Sequence, residues 1–260
     1  MERTLKKAGV GETPLVGSWI ALAHPEVAEM IAHLGYDFLA IDREHTAISL
    51  ETLENVLRAV DAAPGDSETL VRVPGDDPVE LKRVLDLGPD GVMVPMVETA
   101  AQAEAIVEAT RYPPDGVRGV GLHRAADYGL ALDGYVRTAD ETLARFVQIE
   151  TERGVENAEE IAAVDGVDGV FVGPVDLSAS LDAFGDYDAE RFERAVDRIV
   201  RAADATDVAV GTLATSEDER EARLGWGVDF LIAGVDSVHL LDGAVDTKRH
   251  CEQIIESMTE

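Results

Sequence analysis

The sequence has little cysteine and no long apolar run. Cys251 is its one cysteine, which excludes an internal disulfide and a cysteine-based metal cluster. No window approaches the ~20 consecutive apolar residues that a membrane-spanning helix requires. Residues 1–15 contain no apolar run long enough for a signal peptide. These absences predict a soluble, cytoplasmic protein.

Basic residues are also few. Lys and Arg number 22 against 52 Asp and Glu, which gives a formal net charge of −30 at pH 7. A negative charge of this size argues against nucleic acid and anionic membranes as partners. A surface rich in acids and poor in lysine suits a high-salt cytoplasm, because salt screens the self-repulsion that otherwise destabilises the fold. We therefore hypothesise a halophilic protein.

What the chain has instead is an alternation of short apolar runs with segments of helical period. Its 260 residues, 46% of them hydrophobic, allow one large domain with a sizeable core. Eight strands rich in β-branched and apolar residues are predicted at residues 16–20, 37–41, 69–73, 91–94, 145–150, 169–172, 208–212 and 229–233. Helical segments are predicted at residues 25–34, 49–60, 78–87, 99–109, 154–164, 188–203 and 216–224.

This order of elements predicts an α/β fold, a (β/α)₈ TIM barrel, as a single domain over residues 1–260. We attribute the recurrence every ~25 residues to the alternation of strands and helices and not to a sequence repeat. Residues 111–140, rich in Gly, Pro and Arg, are predicted to form a long, ordered, irregular loop, which in a compact domain is usually functional. A final helix over about residues 236–258 has more apolar positions than one barrel helix needs, so either a partner subunit or its own barrel could cover them.

Two carboxylates follow neighbouring predicted strands. Glu150 ends one strand, and Asp176 follows the next after Gly173 and Pro174. Parallel strands joined by a helix end at the same edge of the sheet, so the two side chains should lie side by side. Hard divalent cations prefer such oxygen ligands. The pair predicts a divalent-metal site; the alternative is two ordinary loop acids in an acidic protein.

Arg72 stands inside an apolar strand, where an unpaired guanidinium is costly. It either pairs with an acid, Glu150 or another, or binds a substrate oxyanion. Gln148 lies two residues before Glu150 and should share its strand face.

His45 follows the second predicted strand. It could transfer protons near neutral pH, or it could be an ordinary exposed loop histidine. Asp42 and Glu44 lie close enough in sequence to hold its tautomer or raise its pKa.

These side chains together suit one class of reaction. A divalent ion held by Glu150 and Asp176 could chelate a 2-oxo acid and stabilise its enolate, with Arg72 sharing the charge and His45 moving a proton. The competing imine route requires a lysine in an apolar site. No lysine lies at a predicted strand end; the four are Lys6, Lys7, Lys82 and Lys248.

Five segments carry a family resemblance. They read YDFLAIDREHTA, LKRVLDLGPDGVMVPMVETAAQA, ATRYPPDGVRGVG, FVQIETERGVEN and VDGVDGVFVGPVDLSASL. Over about residues 17–236 the chain resembles the HpcH/HpaI class II pyruvate aldolases, of the 4-hydroxy-2-oxoheptanedioate and 2-dehydro-3-deoxyglucarate aldolase type. The resemblance implies a (β/α)₈ barrel that uses Mg²⁺, Mn²⁺ or a similar ion such as Co²⁺. It also implies a lyase that reversibly cleaves a 4-hydroxy-2-oxo acid to pyruvate and an aldehyde.

The resemblance also implies a role for each site residue. Glu150 and Asp176 would bind the metal, Arg72 would bind and stabilise the pyruvate enolate, and His45 would be the acid–base group. Gln148 would lie beside the metal site. The backbone of four consecutive residues would hold the pyruvate carboxylate: Gly173, Pro174, Val175 and Asp176.

Assembly is implied as well. Members of the family form hexamers and exchange their C-terminal helices. An acid equivalent to Asp86 reaches a neighbouring subunit's site and pairs with its histidine. This would explain an aspartate near a helix C-terminus, where the helix dipole disfavours it.

The sequence departs from the family pattern at Arg43 and Val175, where relatives have smaller residues, so the aldehyde pocket could differ. Leu213 is either a wall of that pocket or a packing residue. Two other functions stay open at this stage. A citrate lyase β-like or malyl-CoA lyase-like enzyme would need a basic patch for CoA phosphates, for which residues 111–124 are the candidate. A non-catalytic barrel that binds a 2-oxo acid is the other.

The halophile hypothesis predicts that molar KCl raises both the melting temperature and the activity relative to low-salt buffer, because screening weakens repulsion among the excess acids. Thermal unfolding and turnover at both salt concentrations would measure this. A protein equally stable and active in both buffers would contradict it.

Overall fold

The computed structural model describes residues 4–10 and 13–259. Eight parallel strands follow one another around a closed barrel, which β1 and β8 complete. They are β1 Leu15–Ile20, β2 Phe38–Asp42, β3 Glu68–Arg72, β4 Gly91–Val94, β5 Ala144–Ile149, β6 Gly169–Val172, β7 Ala209–Leu213 and β8 Phe230–Val235. The predicted (β/α)₈ barrel is confirmed, and each predicted strand lies within two residues of the observed one.

Helices follow the strands, and side-chain oxygens accept backbone N–H bonds at several of their starts. The helices are α1 Pro25–Ala32, α2 Leu50–Ala62, α3 Pro78–Leu85, α4 Ala100–Thr110, α5 Leu132–Thr142, α6 Glu152–Glu156, α7 Ala158–Ala162, α8 Pro174–Ser180, α9 Glu190–Asp204, α10 Glu217–Leu224 and α11 Asp236–Thr259. The side chains that cap α2, α3, α4, α6 and α10 in this way are those of Ser49, Asp77, Thr99, Thr151 and Ser216.

The prediction of an irregular loop over residues 111–140 is wrong in its second half. A short 3₁₀ segment, Arg124–Gly129, is followed by the 11-residue helix α5. Leu132, Tyr135, Val136 and Ala139 recur at helical spacing, and Ala139 is buried. The prolines and all of the segment's glycines except Gly134 precede α5, and they obscured this pattern.

The barrel interior is filled largely by aromatic rings. Glycines on three strands make room for them, since a Cβ at Gly17, Gly169 or Gly211 would lie within 2.8 Å of a phenylalanine ring carbon. The interior side chains are Leu15, Trp19, Phe38, Ala40, Leu70, Met93, Ala144, Phe146, Phe171, Ala209, Phe230 and Ile232. The N-terminal 3₁₀ segment Leu5–Val10, which the sequence did not predict, packs Leu5 and Ala8 against them.

Four aspartates join the strands at the barrel's N-terminal rim. Each immediately precedes an even-numbered strand, and its Oδ2 accepts the backbone N–H of the preceding odd strand at 2.8 Å. Its own N–H donates to the carbonyl of that same residue, at 2.7–3.0 Å. Its carbonyl accepts the N–H that opens the next odd strand. The four pairs are Asp37 with Val16, Asp90 with Thr69, Asp168 with Arg145, and Asp229 with Val210. Each of these aspartate clamps therefore fastens three strands in register.

A glycine stands two residues before every clamp aspartate, and all four have positive φ. Gly35, Gly88, Gly166 and Gly227 have φ of 78°, 77°, 97° and 80°, a left-handed conformation that side chains other than glycine rarely adopt. The Gly-X-Asp triplet therefore recurs before each even strand. The sequence analysis did not identify this motif, because the triplet is too short to stand out against the residues that vary around it.

The C-terminal helix α11 is confirmed, and Asp236 fixes its start. The Asp236 carboxylate is buried and accepts the N–H groups of Ala21, Leu22 and Ser237. Beyond that start the helix leaves its apolar side chains exposed, so packing against its own barrel is wrong for them: Leu240, Leu241, Val245, Ile254, Ile255 and Met258. Within residues 4–10 and 13–259, no helix is both long and apolar enough to cross a membrane.

The aspartate clamps predict a selective loss of stability. Changing Asp229→Ala leaves a strand N–H without its acceptor and should lower the free energy of unfolding by about 1–3 kcal/mol. Asp229→Asn keeps an acceptor oxygen and should lose less. Urea unfolding followed by circular dichroism measures the change.

The control is Asp66→Ala, which alters an exposed aspartate between α2 and β3 and should stay within about 0.5 kcal/mol. Equal unfolding midpoints for the Asp229→Ala and Asp66→Ala proteins would contradict the clamp.

Candidate active site

Glu150 is the buried carboxylate at the C-terminal mouth of the barrel. It follows β5 and is 2% exposed. Its Oε1 accepts the backbone N–H of Met96 at 2.9 Å, and its Oε2 accepts the side-chain amide of Gln148. Met96 has φ of 56°, an uncommon left-handed conformation for a side chain that is not glycine. This turn after β4 is what directs the Met96 N–H at the carboxylate.

Burial raises the pKa of Glu150 to about 7. The Met96 N–H and the Arg72 guanidinium oppose this rise, whereas the charges of Asp176 and Glu44 add to it. The four groups are thus close enough to act on one another. The mouth collects more negative charge than its one guanidinium offsets, which favours a cation there.

Asp176 lies in the first turn of α8, which begins directly after β6. The side chain is exposed, and its negative charge contributes to the raised pKa of Glu150. Gly173 lies between them, and a Cβ there would stand 2.3 Å from Glu150 Oε2 and 2.6 Å from Gln148 Nε2. Only glycine leaves this space open.

These donors fit a hard divalent ion. Two carboxylates and the Gln148 Oε1, which is buried without a hydrogen-bond partner, supply oxygen atoms. In the part of the chain that the structure describes, no three His, Cys, Asp or Glu side chains gather as a metal-binding group. The pair would therefore leave several coordination positions for water and substrate oxygens.

Arg72 ends β3 with its side chain buried at the mouth. Its Nε donates to Asp42 Oδ1 at 3.0 Å, its Nη2 lies 2.9 Å from Asp42 Oδ2, and its Nη1 lies 3.0 Å from Glu44 Oε2. The Glu44 oxygen is not placed for a true hydrogen bond, so this second contact is an ion pair by distance. Arg72 therefore forms ion pairs with Asp42 and Glu44 and not with Glu150, which interacts with it only by longer-range electrostatics. Two of the five N–H groups are used by Asp42, which leaves donors for a substrate oxygen.

Asp42 has a larger part than the sequence analysis gave it. The carboxylate is 3% exposed and also accepts the backbone N–H groups of Glu44 and His45, at 2.9 and 3.4 Å. It therefore fixes the guanidinium and the following turn together. Asp42 pairs in register with Arg72 across β2 and β3, a signal that the sequence alone does offer once the two strands are aligned.

His45 is exposed over two thirds of its side chain, and its Nε2 lies 3.7 Å from Glu44 Oε2. Burial raises the pKa of Glu44, although Arg72 and His45 oppose the rise. The imidazole thus stands at the rim of the mouth, beside an acid and open to an incoming molecule. Arg43, the departure from the family pattern, turns away and bonds Glu80 and the Ile48 carbonyl.

Two predicted site residues lie apart from this cluster or at its edge. Asp86 caps the C-terminus of α3, as predicted, but this places it toward the N-terminal rim, where it accepts a bond from Arg118 at 3.3 Å. Within one chain Asp86 is not part of the mouth. Leu213 ends β7 half-buried, packed against the interior cluster.

The arginines of the segment 111–124 are already engaged by acids. Arg111 pairs with Asp140 and Asp165, and Arg124 with Asp61. These pairs leave little free positive charge for CoA phosphates, so they weigh against the malyl-CoA lyase-like alternative.

Comparison with known proteins decides the family. Residues 15–243 match the HpcH/HpaI aldolase/citrate lyase family. The chain belongs to this family. A hydroxypyruvate/pyruvate aldolase of Delftia acidovorans is 46% identical over 225 residues, covering 86% of this chain and 82% of the relative. A 4-hydroxy-2-oxovalerate aldolase of Novosphingobium aromaticivorans is 45% identical, covering 96% of this chain and 95% of the relative.

A solved structure agrees. An HpcH/HpaI aldolase/citrate lyase family protein from Burkholderia cenocepacia superposes with a TM-score of 0.92 at 38% identity, over 95% of this chain and 98% of that one. The predicted family and the predicted enzyme class, aldolase, are confirmed, and the citrate lyase-like alternative is not favoured. Class II aldolases of the HpcH/HpaI family are metal-dependent and act on small molecules such as pyruvate.

The raised pKa of Glu150 predicts that metal affinity depends on pH. A protonated carboxyl cannot bind a cation, so affinity should fall about tenfold for each pH unit below about 7 and level off above it. Calorimetric titration with Mn²⁺ between about pH 5.5 and 8.5 measures this.

Glu152→Gln, which changes an exposed acid on α6, should keep the same profile, and Glu150→Gln should lose it. Affinity that stays constant across this pH range in the unaltered protein would contradict the assignment of Glu150.

Proposed function

We propose that the protein reversibly cleaves a 4-hydroxy-2-oxo acid to pyruvate and an aldehyde, with a divalent metal bound by Glu150 and Asp176. One observation carries the proposal. A buried guanidinium with unused N–H groups and a buried carboxylate of raised pKa meet at the barrel mouth, close enough to influence each other. A 2-oxo acid offers the two adjacent oxygens and the negative charge that such a site would bind.

The proposed ion is Mg²⁺ or Mn²⁺, with Co²⁺ as a further candidate. When bound, it would act as a Lewis acid that polarises the 2-oxo group. The chain's part is to present the carboxylates correctly. The Met96 N–H and the Gln148 amide each take one oxygen of Glu150, which fixes the side chain and leaves its remaining lone pairs for the cation.

Arg72 would stabilise the charge that appears during cleavage. When the bond between C3 and C4 breaks, its electron pair moves toward the C2 oxygen and leaves an enolate. The N–H groups that Asp42 does not occupy would donate to that oxygen. Because Asp42 and Glu44 hold the guanidinium beforehand, little reorganisation is needed as the charge develops.

His45 would move the proton. In the cleavage direction it would take the proton of the 4-hydroxyl, and in synthesis it would return it. Its exposed position at the rim suits a group that meets the aldehyde half of the substrate. Glu44, 3.7 Å away, would favour the protonated imidazole that cleavage forms and synthesis requires.

The substrate pocket would be built from the strand ends that surround these groups. The backbone of residues 173–176 would hold the pyruvate carboxylate, next to the space that Gly173 leaves open. Val175 and Met96, both about half exposed, and Leu213 would form walls on the aldehyde side. Since Arg43 is held by Glu80, the departure at that position leaves the pocket itself free.

Assembly into a hexamer with exchanged C-terminal helices is part of the proposal. The exposed apolar stripe of α11 supports a partner subunit. Asp86 of a neighbouring copy would then pair with His45, which is exposed enough to be reached. A cytoplasmic location and adaptation to high salt stay predictions.

The decisive experiment is a pyruvate-release assay. Purified protein with Mg²⁺ or Mn²⁺ should release pyruvate from at least one member of a panel of 4-hydroxy-2-oxo acids, and a chelator should abolish the release. No release from any of them would refute the function. Release that survives the chelator would refute the role of the metal.

Two variants separate the roles of the side chains. Arg72→Ala should lose most of the exchange of pyruvate C3 hydrogens for deuterium, by about 100-fold or more. His45→Ala should slow aldol cleavage by about 100-fold while metal affinity changes little. Arg191→Ala and His33→Ala change exposed residues on α9 and after α1 and are the matched controls. Unaltered turnover in Arg72→Ala or His45→Ala would favour a barrel that only binds its ligand.

A further inference from the structure

The Arg72 guanidinium lies over the indole ring of Trp19. The distance from Arg72 Cζ to the ring centroid is 4.5 Å. Both side chains are buried, at 6% and 8% exposure. A cation over an indole face is attracted by the ring's electrons, and the attraction is strongest where water is excluded.

The face contact and the acid contacts act in different directions. Asp42 and Glu44 contact the guanidinium through its nitrogen atoms. The indole contacts it through the ring, with Cζ over the ring. The acids fix the positions of the nitrogen atoms, and the ring restricts the tilt of the guanidinium that those contacts leave free.

Trp19 is itself fixed from below. Its ring centroid is 6.3 Å from that of Phe171, which is 6.1 Å from Phe230, which stacks on Phe146 at 4.7 Å. These four rings form a packed column from the mouth into the barrel. The indole is the top of this column, so its position is set by the barrel core and not by a mobile loop.

We propose that Trp19 is a positioning residue for the reaction, holding the plane of Arg72 at the tilt at which its free N–H groups meet the substrate's C2 oxygen. This inference rests on the proposed function and adds to it a residue on β1 that the assignment of catalytic and binding groups leaves out. It follows that Trp19 should matter more as charge develops on that oxygen than when pyruvate merely binds.

The test compares three changes. Trp19→Leu removes the ring face, Trp19→Phe keeps a smaller one, and Trp226→Leu is the matched control. Trp226 makes the same kind of contact, since Arg223 Cζ lies over its ring, 4.3 Å from the centroid, but it follows α10 outside the barrel. The readouts are the kcat and KM of C3 deuterium exchange with saturating Mg²⁺, and the inhibition constant of oxalate, a planar dianion that resembles the enolate of pyruvate.

Trp19→Leu should lower kcat about tenfold and raise the inhibition constant of oxalate by a similar factor. This is the size of effect expected when a buried cation–π contact is lost. KM for pyruvate and the Mg²⁺ requirement should change less than twofold. Trp19→Phe should recover most of the rate, and Trp226→Leu should keep it. A Trp19→Leu rate equal to that of Trp226→Leu, or a Trp19→Phe rate no better than that of Trp19→Leu, would overturn the inference.

A second measurement tests the inference even if the Trp19→Leu protein does not fold. The Trp226→Phe protein retains Trp19 as its one tryptophan. Its emission should change with oxalate and Mg²⁺ and saturate at the inhibition constant; emission that does not respond would overturn the inference. The unaltered protein separates the two claims. If it exchanges no deuterium, the proposed function fails, and if it exchanges normally while the Trp19 variants do too, only the inference fails.

Discussion

The hydrogen bonds that each clamp aspartate makes to the strand before it and to the strand after it are the constraint on which the rest of the structure depends. They set the register at one rim of the barrel, and the register determines which residues stand level at the other rim. Asp42 meets Arg72 because β2 and β3 are aligned in this way. Gln148 and Phe171, and then Ile149 and Val172, pair at the ends of β5 and β6 by the same logic, which brings Glu150 beside the start of α8.

At the mouth of the barrel, several carboxylates surround the guanidinium of Arg72. Asp42 and Glu44 neutralise Arg72, and Glu150 is left buried with a pKa near 7 and Asp176 nearby. A cation beside such a carboxylate would favour its ionised form. The Met96 N–H, held by an uncommon backbone conformation, and the Gln148 amide orient Glu150 but do not neutralise it. Placing these acids together destabilises the folded protein when no metal or substrate is bound, a cost that active sites commonly carry.

Much of the fold and of the site could be predicted from the sequence. The periodicity of apolar residues is a local property of the chain, and the order of strands around the barrel follows the order of the chain. The eight strands were found because apolar runs recur, and Glu150 and Asp176 were placed together because a strand–helix–strand unit ends both strands at one edge. What the sequence could not supply was geometry across the barrel. The partners of Arg72, the turn at Met96 and the packing of Trp19 depend on side chains from strands far apart in the chain. Asp86 shows the reverse case, since its predicted role needs a second copy.

The Gly-X-Asp triplets also bear on how this barrel tolerates change. Every odd strand is tied to the even strand after it by contacts that begin within a few residues of the strands themselves. The 111–142 segment, inserted between α4 and β5, therefore lengthens the chain without disturbing the joint between Asp90 and Thr69 or that between Asp168 and Arg145. The loops at the opposite end, which surround the pocket, take no part in these four clamps. Substitutions in these loops can therefore change the shape of the pocket while the aspartate clamps keep the strands in register.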